Sequence, residues 1–258
     1  KFRPRTSPWP IYYFTMMSSE ATAAAVQMLE NLCLANNRAA SDIARGENLE
    51  AFRGIRSAAG QVSALTPLIA ACEARRGRGD HHPNTIPGVA VHPIYAVNIW
   101  TRADGNEGYV FCCPFLVKHI SNDDLARVDL RYMTTLSSVA IFNMALACHL
   151  QYRVADDCQK SEVLANRANT LYSQAAQLLD DCSLRRDESA LQVYLAICNN
   201  MIEVSLSEGH IHQARQWKAK LDATLKKAAT STKITVLYDY FKDIQVIYSG
   251  TFVAARAA

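Results

Sequence analysis

The residues with the plainest capacity for chemistry stand together in one loop. Asp80, His81 and His82 are adjacent, and His92 follows beyond Pro83 and Pro87. Carboxylate and imidazole are the donor types that ligate zinc and similar divalent ions. Yet the loop, Gly77–Pro93, carries three glycines and three prolines. Such clusters on Gly/Pro loops are ordinarily solvated, so no metal or other cofactor is expected. His210 and His212 are two residues apart around a helix start and point in different directions, which makes them poor joint ligands. Cys112 and Cys113 fall in a β-type run, where neighbouring side chains face opposite sides and do not share a metal. Gly77–Asp80 lacks the strand–turn–helix setting of a phosphate loop. No local signature supports a Cys/His nucleophile. No catalytic residue is therefore assigned.

Charge and composition narrow the classes further. The 258 residues carry a net charge of +3, too little for a general attraction to nucleic acid. Basic residues gather only locally, at Lys1, Arg3 and Arg5 and at Arg75, Arg76 and Arg78. Half the residues are hydrophobic, enough for a sizeable core. No apolar stretch is read as a membrane span. The eight cysteines show no C-x-x-C pair and several lie on apolar helix faces, so they are read as reduced and the chain as intracellular.

The elements that must position these residues are mostly helices. Residues 1–17 read as an extended, proline-containing arm, and 18–76 as a first helical hairpin region. Ser18 or Ser19 starts a helix reaching Arg45, Gly46 ends it, and Glu47–Ala64 returns. A third helix is expected around Leu68–Arg75. Residues 77–120 read as a loop and a β-hairpin insertion. Its strands are Ile94–Thr101 and Tyr109–Val117, joined through Asp104–Gly108. Residues 121–230 hold a short helix at Asp123–Asp129, then Thr134–Arg153, Ser161–Leu179, Glu188–Ser207 and Ile211–Ala228. Residues 231–258 hold a capping helix, Thr232–Tyr248, and a frayed tail.

A spacing recurs on these helix pairs. Gly46 is followed by Ala51, Ile55 and Ala58, and Gly209 by Ala214, Lys218 and Leu221. Ala168 is followed by Tyr172 and Ala175. Ala51, Ala168 and Ala214 take matching places in the second helices, where a larger side chain would push a helix crossing apart. Asn37, Asn143 and Asn200 take matching places in the first helices. The units run roughly Ala35–Ala64, Ser138–Leu179 and Ile197–Lys227.

This pattern resembles the tetratricopeptide repeat family. The runs VAIFNMALACHL, ANTLYSQAAQLL and AICNNMIEVSLSEGHIHQARQW are similar to a group of uncharacterised repeat proteins of diatoms and related algae. The resemblance covers Asn31–Ala64 and Leu136–Lys227. It implies a mainly α fold of antiparallel helical hairpins stacked as an array. It also implies a concave partner-binding groove lined by the first helices: Asn36 and Ala40, Leu146 and His149, Asn199 and Glu203. A mixed polar and apolar groove suits an extended peptide or a partner helix.

The expected function is a non-catalytic protein-interaction scaffold, a subunit or assembly factor of a larger complex. Three alternatives stay open. One is a generic helical bundle without repeat geometry. Another is an enzyme with a pocket among His81, His82, His92, His119 and the cysteines. The last is an RNA-binding repeat protein using Arg75–Arg78 and the N-terminal arm.

Overall fold

A computed structural model describes residues 19–62, 91–93, 110–118, 130–181, 188–229 and 236–257. The fold is mainly α. In chain order the elements are α1 (Ser19–Ala44), α2 (Asn48–Val62), β1 (Val91–Pro93), β2 (Phe115–Val117), α3 (Leu130–Arg153), α4 (Cys158–Asp181), α5 (Glu188–Ser207), α6 (Ile211–Ala228) and α7 (Val236–Ala257).

The helices form three antiparallel hairpins, α1–α2, α3–α4 and α5–α6, and α7 packs against the last. Two hairpins turn on a glycine that must adopt positive φ, Gly46 at 82° and Gly209 at 74°. Each turn closes with paired helix-end hydrogen bonds. Gly46 N–H reaches Ile43 C=O at 2.9 Å and Glu47 N–H reaches Asp42 C=O at 2.8 Å. Gly209 N–H reaches Leu206 C=O at 3.0 Å and His210 N–H reaches Ser205 C=O at 2.7 Å. These bonds satisfy carbonyls that a helix end otherwise leaves open. The middle hairpin uses a different device. Asp157 caps α4, its Oδ1 accepting from Gln159 N–H at 2.9 Å and Lys160 N–H at 3.4 Å.

The matched alanines sit where the pattern requires. Ala51, Ala168 and Ala214 are fully buried, as are Ile55, Tyr172 and Leu221. The long insertion between the first two hairpins does not separate them in space. Helix α2 packs on α3, and α4 packs on α5. Arg167 of α4 lies 5.4 Å from the centre of the Phe52 ring of α2.

Two expectations change. Helix α7 runs on to Ala257, so the tail read as frayed is helical. By length and composition alone, one stretch, Tyr132–Arg153, is long and apolar enough to cross a membrane. It is the array's central helix, and 78% of the window is buried inside the protein. Finally, the described residues show a β pairing that uses a segment read as loop. Among the described residues of the run Tyr109–Val117, Phe115–Val117 is a strand, and it pairs antiparallel with Val91–Pro93. The register sets Val91 opposite Val117, His92 opposite Leu116 and Pro93 opposite Phe115. Pro114, immediately before β2, has no amide N–H to give to a ladder. The N-terminal arm, Leu68–Arg75, Ile94–Thr101, Asp104–Gly108 and Asp123–Asp129 lie outside the described residues.

Candidate peptide groove

An asparagine on an apolar helix face needs a partner, because a buried amide without hydrogen bonds is costly. The chain places one such asparagine in the first helix of each hairpin, and all three find the same kind of partner. Asn200 of α5 receives Phe111 N–H on Oδ1 at 2.8 Å and donates Nδ2 to Phe111 C=O at 3.1 Å. Asn143 of α3 receives Phe115 N–H at 3.0 Å and donates to Phe115 C=O at 2.8 Å. Asn37 of α1 receives Val117 N–H at 2.8 Å and donates to Val117 C=O at 2.7 Å. Each carboxamide thus imitates one rung of a β-ladder. Together they hold the extended segment 110–117 along the first helices of the array.

Neighbouring amides brace these bonds. Asn36 Nδ2 donates to Asn37 Oδ1 at 3.3 Å, and Asn199 Nδ2 donates to Asn200 Oδ1 at 3.1 Å. The two ends of the groove therefore repeat one arrangement. Asn36 also joins the middle clamp, donating to Phe115 C=O at 3.0 Å and accepting from Asn143 Nδ2 at 2.9 Å.

The segment's side chains complete the core. Phe111 and Phe115 are fully buried, with ring centres 5.6 Å apart. Phe142 stands 5.2 Å from Phe115, and Phe241 of α7 stands 5.3 Å from Phe111. Helix α7 thus covers one end of the segment.

A second polar network runs from the Asn200 clamp into the array. Asn200 Nδ2 donates to Tyr172 Oη at 3.0 Å, and Tyr172 Oη lies 3.4 Å from His149 Nδ1. His149 Nε2 lies 2.6 Å from Glu203 Oε2, and Arg153 stands 3.8 Å from Glu203 Oε1. Burial pushes the Glu203 carboxyl up. The charge and hydrogen bond of His149, with Arg153 and Ser207, outweigh it and hold the group below its ordinary value. Burial drives the Tyr172 hydroxyl well above its usual range.

The six residues assigned from sequence to a partner groove are all buried. Asn36, Ala40, Leu146, His149 and Asn199 have no exposed surface, and Glu203 keeps 5%. They do not line an open channel. Asn36 faces the chain's own backbone, and Asn199, His149 and Glu203 brace the network behind it. The clamping residues themselves, Asn37, Asn143 and Asn200, were matched by sequence position but not assigned to the groove. Their signal was a polar amide repeated at one place on otherwise apolar helices.

His81, His82 and His119 lie outside the described residues, and His92 belongs to β1. His210 and His212 are exposed. Cys112 and Cys113 precede β2 in the held segment, Cys112 half-buried and Cys113 buried. No group of three or more His, Cys, Asp or Glu residues fit to hold a metal occurs among the described residues. No family model, curated protein or solved structure matches this chain.

Proposed function

We propose that this chain is a non-catalytic protein-interaction scaffold of the tetratricopeptide-like kind, acting as a subunit or assembly factor of a larger complex. Its partner is an extended peptide segment of another protein, held in the groove that residues 110–117 fill. One observation carries this reading. Three asparagines, one per hairpin, each grip the N–H and C=O of a single residue. Recognition through the main chain does not depend on sequence, so the same grip accepts another extended chain. The aromatic residues around Phe111 and Phe115 supply the selectivity, favouring an aromatic residue at two places four apart.

The resident segment competes for this place. A tethered segment acts at an effective concentration on the order of millimolar. A partner must therefore bring further contacts or meet the groove once the segment is released.

The test uses a fluorescent peptide spanning residues 109–118, with serine at both cysteine positions. The protein is the Phe111→Ser/Phe115→Ser variant, checked by circular dichroism to keep its helices. The reading expects saturable binding that adding Asn143→Ala abolishes. A helical variant that does not bind the peptide would overturn it.

A further inference from the structure

Cys112 and Cys113 lie within the held segment, between the clamp on Phe111 and the clamp on Phe115. Neither is in a disulfide. Cys113 is fully buried, whereas Cys112 is partly accessible. The hydrogen bond from Cys113 lowers Cys112 most. Burial opposes it, while the residue's own amide and Arg153 lower it further, to about 7. Cys148 shows the contrast, since burial pushes it up to about 11.

We propose that Cys112 and Cys113 form a reversible thiol-oxidation site, with Cys112 as nucleophile toward a low-molecular-weight disulfide and Cys113 as the resolving thiol. The Cys112 thiolate attacks one sulfur of the disulfide. A mixed disulfide forms, the original S–S bond breaks, and a small thiolate leaves with the electron pair. Cys113 then loses its proton and attacks the Cys112 sulfur. The protein disulfide forms and a second small thiolate leaves, both leaving groups taking protons from the thiols and solvent. Two protein thiols are oxidised and one small disulfide is reduced to two thiols.

The geometry gives this reaction a consequence. Neighbouring Cα atoms are about 3.8 Å apart across a trans peptide. A relaxed disulfide spans about 4.4–6.8 Å. The closed ring is therefore strained, which makes it easily reduced and suits it to regulation. Its peptide unit adjoins the Phe111 carbonyl that Asn200 holds at 3.1 Å. Closing the ring turns the backbone there and loosens the Asn200 clamp.

The experiment treats the full chain with glutathione disulfide and follows intact mass and peptide maps over time. Cys158, exposed at the start of α4, is the internal reference. Two hydrogens should be lost at Cys112–Cys113 before Cys158 acquires glutathione, and dithiothreitol should restore them. Cys113→Ser should stop at a mixed disulfide on Cys112. Hydrogen exchange at Phe111 should rise by about tenfold or more on oxidation of the wild type, and not in Cys112→Ser. Glutathione on Cys158 while Cys112 stays reduced would overturn the site. So would failure of Cys113→Ser to trap the adduct. Disulfide formation with unchanged exchange at Phe111 would overturn its coupling to Asn200.

Discussion

Asn143 holds Phe115 by both main-chain groups, accepting its N–H at 3.0 Å and donating to its C=O at 2.8 Å. A side chain from the central helix thus does the work of a missing strand. The arrangement explains how a strand as short as Phe115–Val117 persists. One edge pairs with Val91–Pro93, and the alternate residues Phe115 and Val117 turn their other edge to Asn143 and Asn37.

Removing that side chain should be costly. Asn143→Ala leaves Phe115 N–H buried without its amide acceptor, at roughly 1–3 kcal/mol, while Phe115 C=O keeps the bond from Asn36 Nδ2 at 3.0 Å. A loss of about 1–3 kcal/mol is expected by urea denaturation. Asn143→Asp should lose more than Asn143→Ala, because it removes the donor and buries a charge against the Phe115 carbonyl.

The helix crossings set a second expectation. Ala168 and Ala214 are fully buried at matching places, so a leucine there must push two helices apart. Each substitution should cost about 1–3 kcal/mol or more, seen as a lower melting temperature. Leucine at the exposed position 163, in place of valine, should change little.

The turn glycines are a third. A Cβ at Gly46 or Gly209 would meet nothing within 4 Å, so any cost comes from positive φ alone. Gly209→Ala should lose about 1–2 kcal/mol by chemical denaturation, with the fold unchanged by circular dichroism.

Acid should act through Glu203. Its carboxyl is held below the ordinary value by His149 and Arg153 against burial. Its contribution is present above the ordinary carboxylate value of about 4.3 and is lost as pH falls through the lower folded value. Urea midpoints taken from about pH 6 down to about pH 3 should fall more steeply for the wild type than for Glu203→Gln. Parallel slopes would contradict that role.

Much of the helical frame could be read from residue types. Gly46 and Gly209 marked turns because few other residues take positive φ, and the alanines marked crossings because only a methyl fits. Helices α5 and α6 fall at the residues expected, bounded by Glu188, Gly209 and Ala228. The groove was harder to read. Helical periodicity says which face is buried, but not what covers it. Asn36, His149, Asn199 and Glu203 are buried, and their neighbours are this chain's own segment and network. The run Tyr109–Val117 looked like an ordinary strand because its apolar and β-branched residues suit one. Nothing in its spacing said that its edge partners would be three side-chain amides. The Asn37, Asn143 and Asn200 match was the one available hint, and a polar residue repeated on apolar faces has physical meaning only once its partner is sought.

The central claim is that residues 110–117 are held in the groove by these three asparagines. Amide hydrogen exchange at Phe111, Phe115 and Val117 of the intact protein tests it most directly. The account predicts exchange slowed by at least about a thousandfold relative to an unstructured chain, with Asn143→Ala releasing Phe115 first. Exchange of all three amides at unprotected rates, while α3 and α5 remain protected, would contradict it.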